Sequence, residues 1–382
     1  MGSGRFWSAA GLALVITAAL VSQAQANEQP LLPDLRQAPV GCPGGYGGDP
    51  ALCRDWDVCM VTDAQAPNGD CVTSGDIQAV RLRFTTAEDN VGDGPLLLYG
   101  RRPNRSSADM EVRQAFQTGR GGPIPGSYDE AERATATSMY YEPARMHRHW
   151  HLMGFARLQL RTPGGETVVA DRKNGFCLGD RYRTADADTL PGAVRDTASP
   201  EGQLAQRLEK SRCGYGDPRA TEMFEGISVG SGDDYRFNVD FQWLDLTNVP
   251  SGTYDVVNTV NSDRTLVESS YDNNSSSISI SVQWPGGAAT RPLVITEAPA
   301  VTLLRSCPGR ERCTAATKAG TGSVARQDDR GLGQAPNVPL TRSAVRGRSG
   351  PIRTPGSATG RNGCSSVTSA LGCCCCANAN AP

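Results

Sequence analysis

Residues 276–284 read SSISISVQW, with Ile278, Ile280, Val282 and Trp284 at alternate positions and only Ser or Gln between them. Strict alternation puts every apolar side chain on one face of an extended chain, so the stretch predicts a half-buried β-strand. The same signature recurs in IQAVRLRF (77–84), GPLLLYG (94–100), FARLQL (155–160), YRFNVDFQWLDL (235–246) and GTYDVVNTV (252–260). Turn-forming NVGDG, TPGG and VPSG separate these runs, and after TPGG the segment ETVVAD reads as a hairpin partner of FARLQL. One helix alone is predicted: Ser199 offers an N-cap and Pro200 the first helical position, running to about Glu209. An all-β, sandwich-like domain of two packed sheets, with long loops and little helix, is the expected fold. Residues 100–137 are expected to form a surface excursion, and 181–198 a polar loop.

The ends of the chain differ from this body. Arg5, the apolar run Ala9–Val21 and Ala24-Gln25-Ala26 have the order of an export signal, so residues 1–26 are expected to be removed and the protein to be secreted or periplasmic. Residues 27–75 are rich in Gly, Pro, Asp and Cys and are expected to pack on the β domain at 76–286. Residues 287–382 are expected to form a disordered low-complexity tail, since the last 86 residues contain no Phe, Trp or Tyr. Formal charge is −2 overall, but the Arg-rich tail hides an acidic body. Neither a nucleic-acid partner nor stable membrane insertion is expected. In an oxidising compartment Cys177 is expected to bond Cys213, while Cys42, Cys53, Cys59 and Cys71 pair in any of three ways. A zinc site from those four lacks the usual CxxC spacing. The terminal CCCC run is read as accidental.

All three histidines of the chain lie in MHRHWHLMGF, at His147, His149 and His151. On a strand these positions share a face, and clustered neutral imidazoles are a metal-binding set that leaves coordination positions open. A straight strand would separate the outer α-carbons by roughly 13 Å, close to the limit two imidazoles with bonds of ~2 Å can span, so a bend is required. Pro143 and Gly154 are the candidates for it. Lysine is nearly absent, with Lys173, Lys210 and Lys318 against 35 arginines. Arginine stays protonated, so a retained lysine in DRKNGFCLGD suggests a nucleophilic amine.

Taken in order, RLRFTTAEDNVGDGPL, HRHWH, KNGFCL, DFQWLDLTNVPSGTY and LVESSYDNN resemble the lysyl oxidase family of copper amine oxidases. The resemblance implies copper at His147, His149 and His151, and a lysine tyrosylquinone cofactor made from Lys173 and Tyr235. Tyr254 and Tyr271 are weaker candidates for the quinone precursor. It also implies oxidation of a primary amine, either protein lysine or a small amine, by O₂ to an aldehyde with release of hydrogen peroxide and ammonia. Arg172 and burial are expected to lower the pKa of Lys173. Asp233 and Asp240 are candidate bases by sequence proximity alone.

The chain departs from the vertebrate pattern in having YEPAR before the triad, without a further histidine, and in lacking most of the cysteine network, which points to a microbial branch. The resemblance further implies calcium held by Asp34, the Leu35 carbonyl, Glu268, Asn273 and Asn274, although Ser270 stands where an acid is expected. A hydrogen-bonded Asn turn is the alternative there. Two other functions compete: a non-catalytic, metal-binding extracellular scaffold or adhesion module, and a zinc hydrolase, which lacks the HExxH glutamate.

Overall fold

The computed structural model describes residues 29–145 and 147–314, so the proposed signal, most of the expected tail and the CCCC run lie outside the described residues. Within them the chain is all-β. Its strands form antiparallel sheets of six, five, four, three and two strands, and the one α-helix is Pro200–Glu209, where the Ser199 side chain accepts from the Gly202 N–H. Five smaller sheets thus stand where two were expected.

SSISISVQW becomes the strand Ser275–Gln283, paired with Gly252–Val260 on one side and Ala300–Cys307 on the other. Its Ile278, Ile280, Val282 and the following Trp284 share one core with Leu82 and Phe84 of the three-stranded sheet and with Leu158 and Leu160. Each such side chain, once buried, contributes about 2 kcal/mol. The pairing with Ala300–Cys307 carries the sheet past residue 286, where the tail was expected to begin, and the Cys307–Cys313 disulfide closes the turn after it.

Two further expectations are corrected. The presumed excursion 100–137 contains Asp109–Ala115 and the start of Arg133–Glu142, both inner strands of the six-stranded sheet. Its many charges concealed an alternation in which Met110 and Val112 point inward. The run YRFNVDFQWLDL is not one strand: Ser231–Tyr235 and Trp243–Asp245 belong to different sheets, and Phe241 between them has φ 60°.

The Cys-rich segment is woven into the body. Leu35–Gln37 pairs with Thr86–Asn90, and Trp56–Val61 with Ala79–Phe84. Of the three pairings open to its cysteines, Cys42–Cys53 and Cys59–Cys71 are formed, and Cys177–Cys213 is bonded as expected.

Candidate active and metal site

His149–Met153 is the strand that carries the histidines, but it begins only at His149. His147 precedes it in a turn, and Arg148 between them adopts φ 53°. That left-handed residue supplies the bend, rather than Pro143 or Gly154, and swings His147 back over the strand. The three rings offer nitrogens within 4.8 Å of one another. Trp150 points the opposite way into the core, where its Nε1 donates to the Asp217 carbonyl at 3.0 Å and Arg102 stacks on its ring. This anchor fixes the direction of its two histidine neighbours.

Hydrogen bonds also orient the rings. His147 Nε2 lies 3.0 Å from Asp240 Oδ2, and His149 Nδ1 donates to the His147 carbonyl at 2.8 Å. With a proton at each of those nitrogens, His147 Nδ1 and His149 Nε2 turn their lone pairs inward, toward His151 Nε2 at 3.3 and 2.8 Å. Two imidazole nitrogens that close require a proton or a cation between them. Burial pushes His149 down to about 4 and His151 to about 2, so both rings are neutral, the form a metal binds.

The neighbouring segment Gly175–Phe176 pairs with Leu152 and Met153 of the same strand. Gly175 is needed there because a Cβ would lie 2.4 Å from His151 Nδ1. This pairing brings Lys173 beside the triad, and the Cys177–Cys213 disulfide ties the segment to the loop whose Cys213 carbonyl accepts from Trp150 N–H. Tyr235 arrives from the end of Ser231–Tyr235 in another sheet. Lys173 Nζ is 4.8 Å from the centroid of the Tyr235 ring and 5.0 Å from that of Phe176. The Tyr235 hydroxyl donates to Asp233 Oδ2 at 2.9 Å, and Asp233 is further held by the Gly179 N–H and Arg181.

Burial lowers Lys173, 8% exposed, to about 8 against the pull of Glu88, Asp233, Asp240 and Asp171. The neighbouring Arg172 guanidinium lies 5.8 Å from the centroid of the Phe241 ring. Burial also raises Asp233 to about 7, Glu88 to about 8, and Tyr235 and Glu225 well above their ordinary values. Glu88 stands opposite Asp233 in the strand register, and Glu88 Oε2 and Glu225 Oε1 are buried without hydrogen-bond partners. Sequence reading missed these two carboxyls. The available signal was the acid in TTAEDN, a stretch whose last five residues form a wholly buried strand. His147, His149, His151, Lys173, Asp233, Tyr235 and Asp240 line one cavity of about 350 Å³. Tyr254 and Tyr271 bond instead to the carbonyls of Pro250 and Leu266.

The oxygen-rich residues gather too. Glu268 accepts from the Leu35 N–H at 2.6 Å and from Asn274 Nδ2 at 2.8 Å, and Asn273 Nδ2 donates to Asp34 Oδ1 at 2.7 Å. Asn273 Oδ1 and Asn274 Oδ1 are buried without partners. Burial lifts the Glu268 carboxyl to about 7.

The family model described as lysyl oxidase matches residues 206–287. Lysyl oxidase homolog 2 of Homo sapiens is 31% identical over 129 residues, which is 34% of this chain and 13% of that protein. Lysyl oxidase homolog 3 of Homo sapiens is 30% identical over 129 residues, covering 14% of its length, and lysyl oxidase homolog 2A of Danio rerio is 31% identical over the same span. The match therefore spans about an eighth of the length of these relatives. The matched residues 206–287 include Asp233, Tyr235 and Asp240 of the cavity, and there the chain is similar to the lysyl oxidase family.

Proposed function

We propose that this protein is an exported copper- and quinone-dependent amine oxidase acting on primary amines, either protein lysine or small amines. The observation that carries the reading is the approach of Lys173 Nζ to 4.8 Å from the Tyr235 ring centroid, in the cavity that also holds the three histidines. Copper would be held by His147 Nδ1, His149 Nε2 and His151 Nε2, a fit supported by nitrogens that lie within 4.8 Å of one another and by burial that keeps His149 and His151 neutral. Lys173 and Tyr235 would be the source of the lysine tyrosylquinone. When present, copper and quinone supply a two-electron acceptor for the amine that O₂ re-oxidises, with aldehyde, ammonia and hydrogen peroxide as products.

The remaining residues prepare that chemistry. Desolvation of Lys173 favours its free amine, the form that can attack a ring carbon. Asp233 accepts the Tyr235 hydroxyl hydrogen bond and so fixes the ring and receives its proton. Its carboxyl, held at about 7, is also the base best placed to take a substrate α-proton, whereas Asp240 is engaged by His147. Export is supported by the signal-like residues 1–26 and by four disulfides, and among the described residues no helix is long and apolar enough to cross a membrane. Calcium at Asp34, Leu35, Glu268, Asn273 and Asn274 would serve structure; the unpartnered Asn273 and Asn274 oxygens and the buried Glu268 carboxyl fit a hard cation.

The test is covalent. Protein matured with copper in air should show a quinone absorption band and a cross-linked Lys173–Tyr235 peptide by mass spectrometry. Lys173→Arg should keep copper and lose both, together with amine-dependent peroxide. Unmodified peptides from a fully copper-loaded, aerated sample would favour the scaffold reading.

A further inference from the structure

One wall of the cavity comes from the Cys-rich segment. Asn68 lines the cavity and belongs to the loop between the bonded Cys59 and Cys71. The loop is clamped to the sheet beneath it. The fully buried Arg81 donates to the carbonyls of Ala64 and Ala66 at 3.3 and 2.7 Å, and to that of Asn68, while its guanidinium stacks 4.0 Å above the Trp243 ring. Trp243 Nε1 in turn donates to the Pro67 carbonyl at 2.7 Å, and the Phe241 N–H reaches the same oxygen. The Asn68 amide donates to the Asn238 carbonyl, in the stretch that carries Asp240. A second disulfide loop, Cys42–Cys53, meets the rim where the Gly44 N–H donates to Asp234.

The cavity, about 350 Å³, lies near the lower end of ligand-site volumes. Reacting side chains occupy part of its lining, so a fixed wall decides what else can enter. We propose that the Cys59–Cys71 loop, through Asn68, is the size-selecting wall of this site, admitting the unbranched end of a primary alkylamine and turning away aromatic amines. The identity of the substrate rests on the amine oxidase reading above; the wall itself does not.

The scarcity of lysine gives a test independent of catalysis. Full-length protein expressed without copper would be acylated with acetic anhydride or with a bulky succinimidyl biotin ester. Labelling of Lys173 would be quantified by peptide mass spectrometry against the exposed Lys210. Asn68→Ala should raise the bulky-to-small labelling ratio at Lys173 about tenfold and Asn68→Phe should lower it, with Lys210 unchanged. The same variants, matured with copper, would be assayed with butylamine and benzylamine by peroxide release. Asn68→Ala should shift kcat/KM about tenfold toward benzylamine, the size of effect that small steric changes in a pocket produce. Labelling that ignores both substitutions overturns the wall, even if amines are oxidised. Labelling that responds, with no amine oxidised by any form, keeps the wall and removes the oxidase.

Discussion

Two clusters of metal-type donors occur in this fold, and they are built on opposite rules. In the oxygen cluster most partners are internal: Glu268 accepts from Leu35 and Asn274, and Asn273 donates to Asp34. In the nitrogen cluster the scaffold satisfies the outer side of two rings, through Asp240 and the His147 carbonyl, while the inner nitrogens face one another. An ion would complete the first and would sit at the centre of the second. The difference separates a site that folds as a turn from one held ready for a cation. Four experiments can break that contrast or sharpen it.

The largest effect is expected at the nitrogen cluster. His151→Ala removes the ring that both other histidines face, and should abolish copper binding and amine-dependent peroxide release, read by metal analysis and by oxidase assay. The strand should remain, because Trp150 rather than His151 anchors it in the core. Copper at wild-type stoichiometry in this variant would break the assignment. Next in size is Asp233→Asn, which keeps a hydrogen-bond partner for Tyr235 but removes the proposed base. It should lower kcat by roughly 10²- to 10³-fold. Copper content should not change, and a loss of copper instead would make Asp233 part of the metal scaffold.

These residues were unequally legible in the sequence. Composition exposed His147, His149, His151 and Lys173, because scarcity makes a retained residue conspicuous, and strand alternation exposed the core of the Ser275–Gln283 sheet. Chain direction was less visible. No propensity rule reports that Arg148 will take φ 53°, so the route by which His147 rejoins the others was missed. Glu88 was hidden for a different reason: its partners come from cross-strand register, Asp233 lying opposite it, and register depends on the whole sheet. The charged alternation around Met110 and Val112 was overlooked because half-buried strands at a polar surface look like loops when read by composition.

Glu88 supplies the third experiment, which asks whether the burial that keeps His149 and His151 neutral has a counterpart in the carboxyl opposite Asp233. Burial lifts this group from 4.5 to about 8, so the folded protein keeps a proton that the unfolded chain releases. The stabilising effect of that proton is complete below about pH 4.5 and is lost as pH rises toward 8. Glu88→Gln should therefore nearly match the parent at pH 5 and exceed it at pH 8.5 by roughly 4 kcal/mol, read by denaturant unfolding of metal-free protein. A constant difference across that range would mean the carboxyl ionises freely in the folded state.

The smallest effect should come from the oxygen cluster, and its smallness is the point. Because Glu268 already has amide donors, removing calcium with a chelator should lower Tm by only about 2–4 °C, corresponding to about 1 kcal/mol in a domain of this size. Collapse of the fold on chelation would erase the contrast with the histidines, and a Tm insensitive to millimolar calcium would make the cluster a hydrogen-bonded turn. Asn274→Asp sharpens the measurement. It replaces the amide that donates to Glu268 with a second buried carboxylate, whose repulsion only a cation can relieve. The variant should be less stable than the parent in chelator and regain most of the loss in calcium, widening the calcium-dependent Tm difference. If calcium stabilises parent and variant equally, or neither, the Asn274 oxygen does not face an ion.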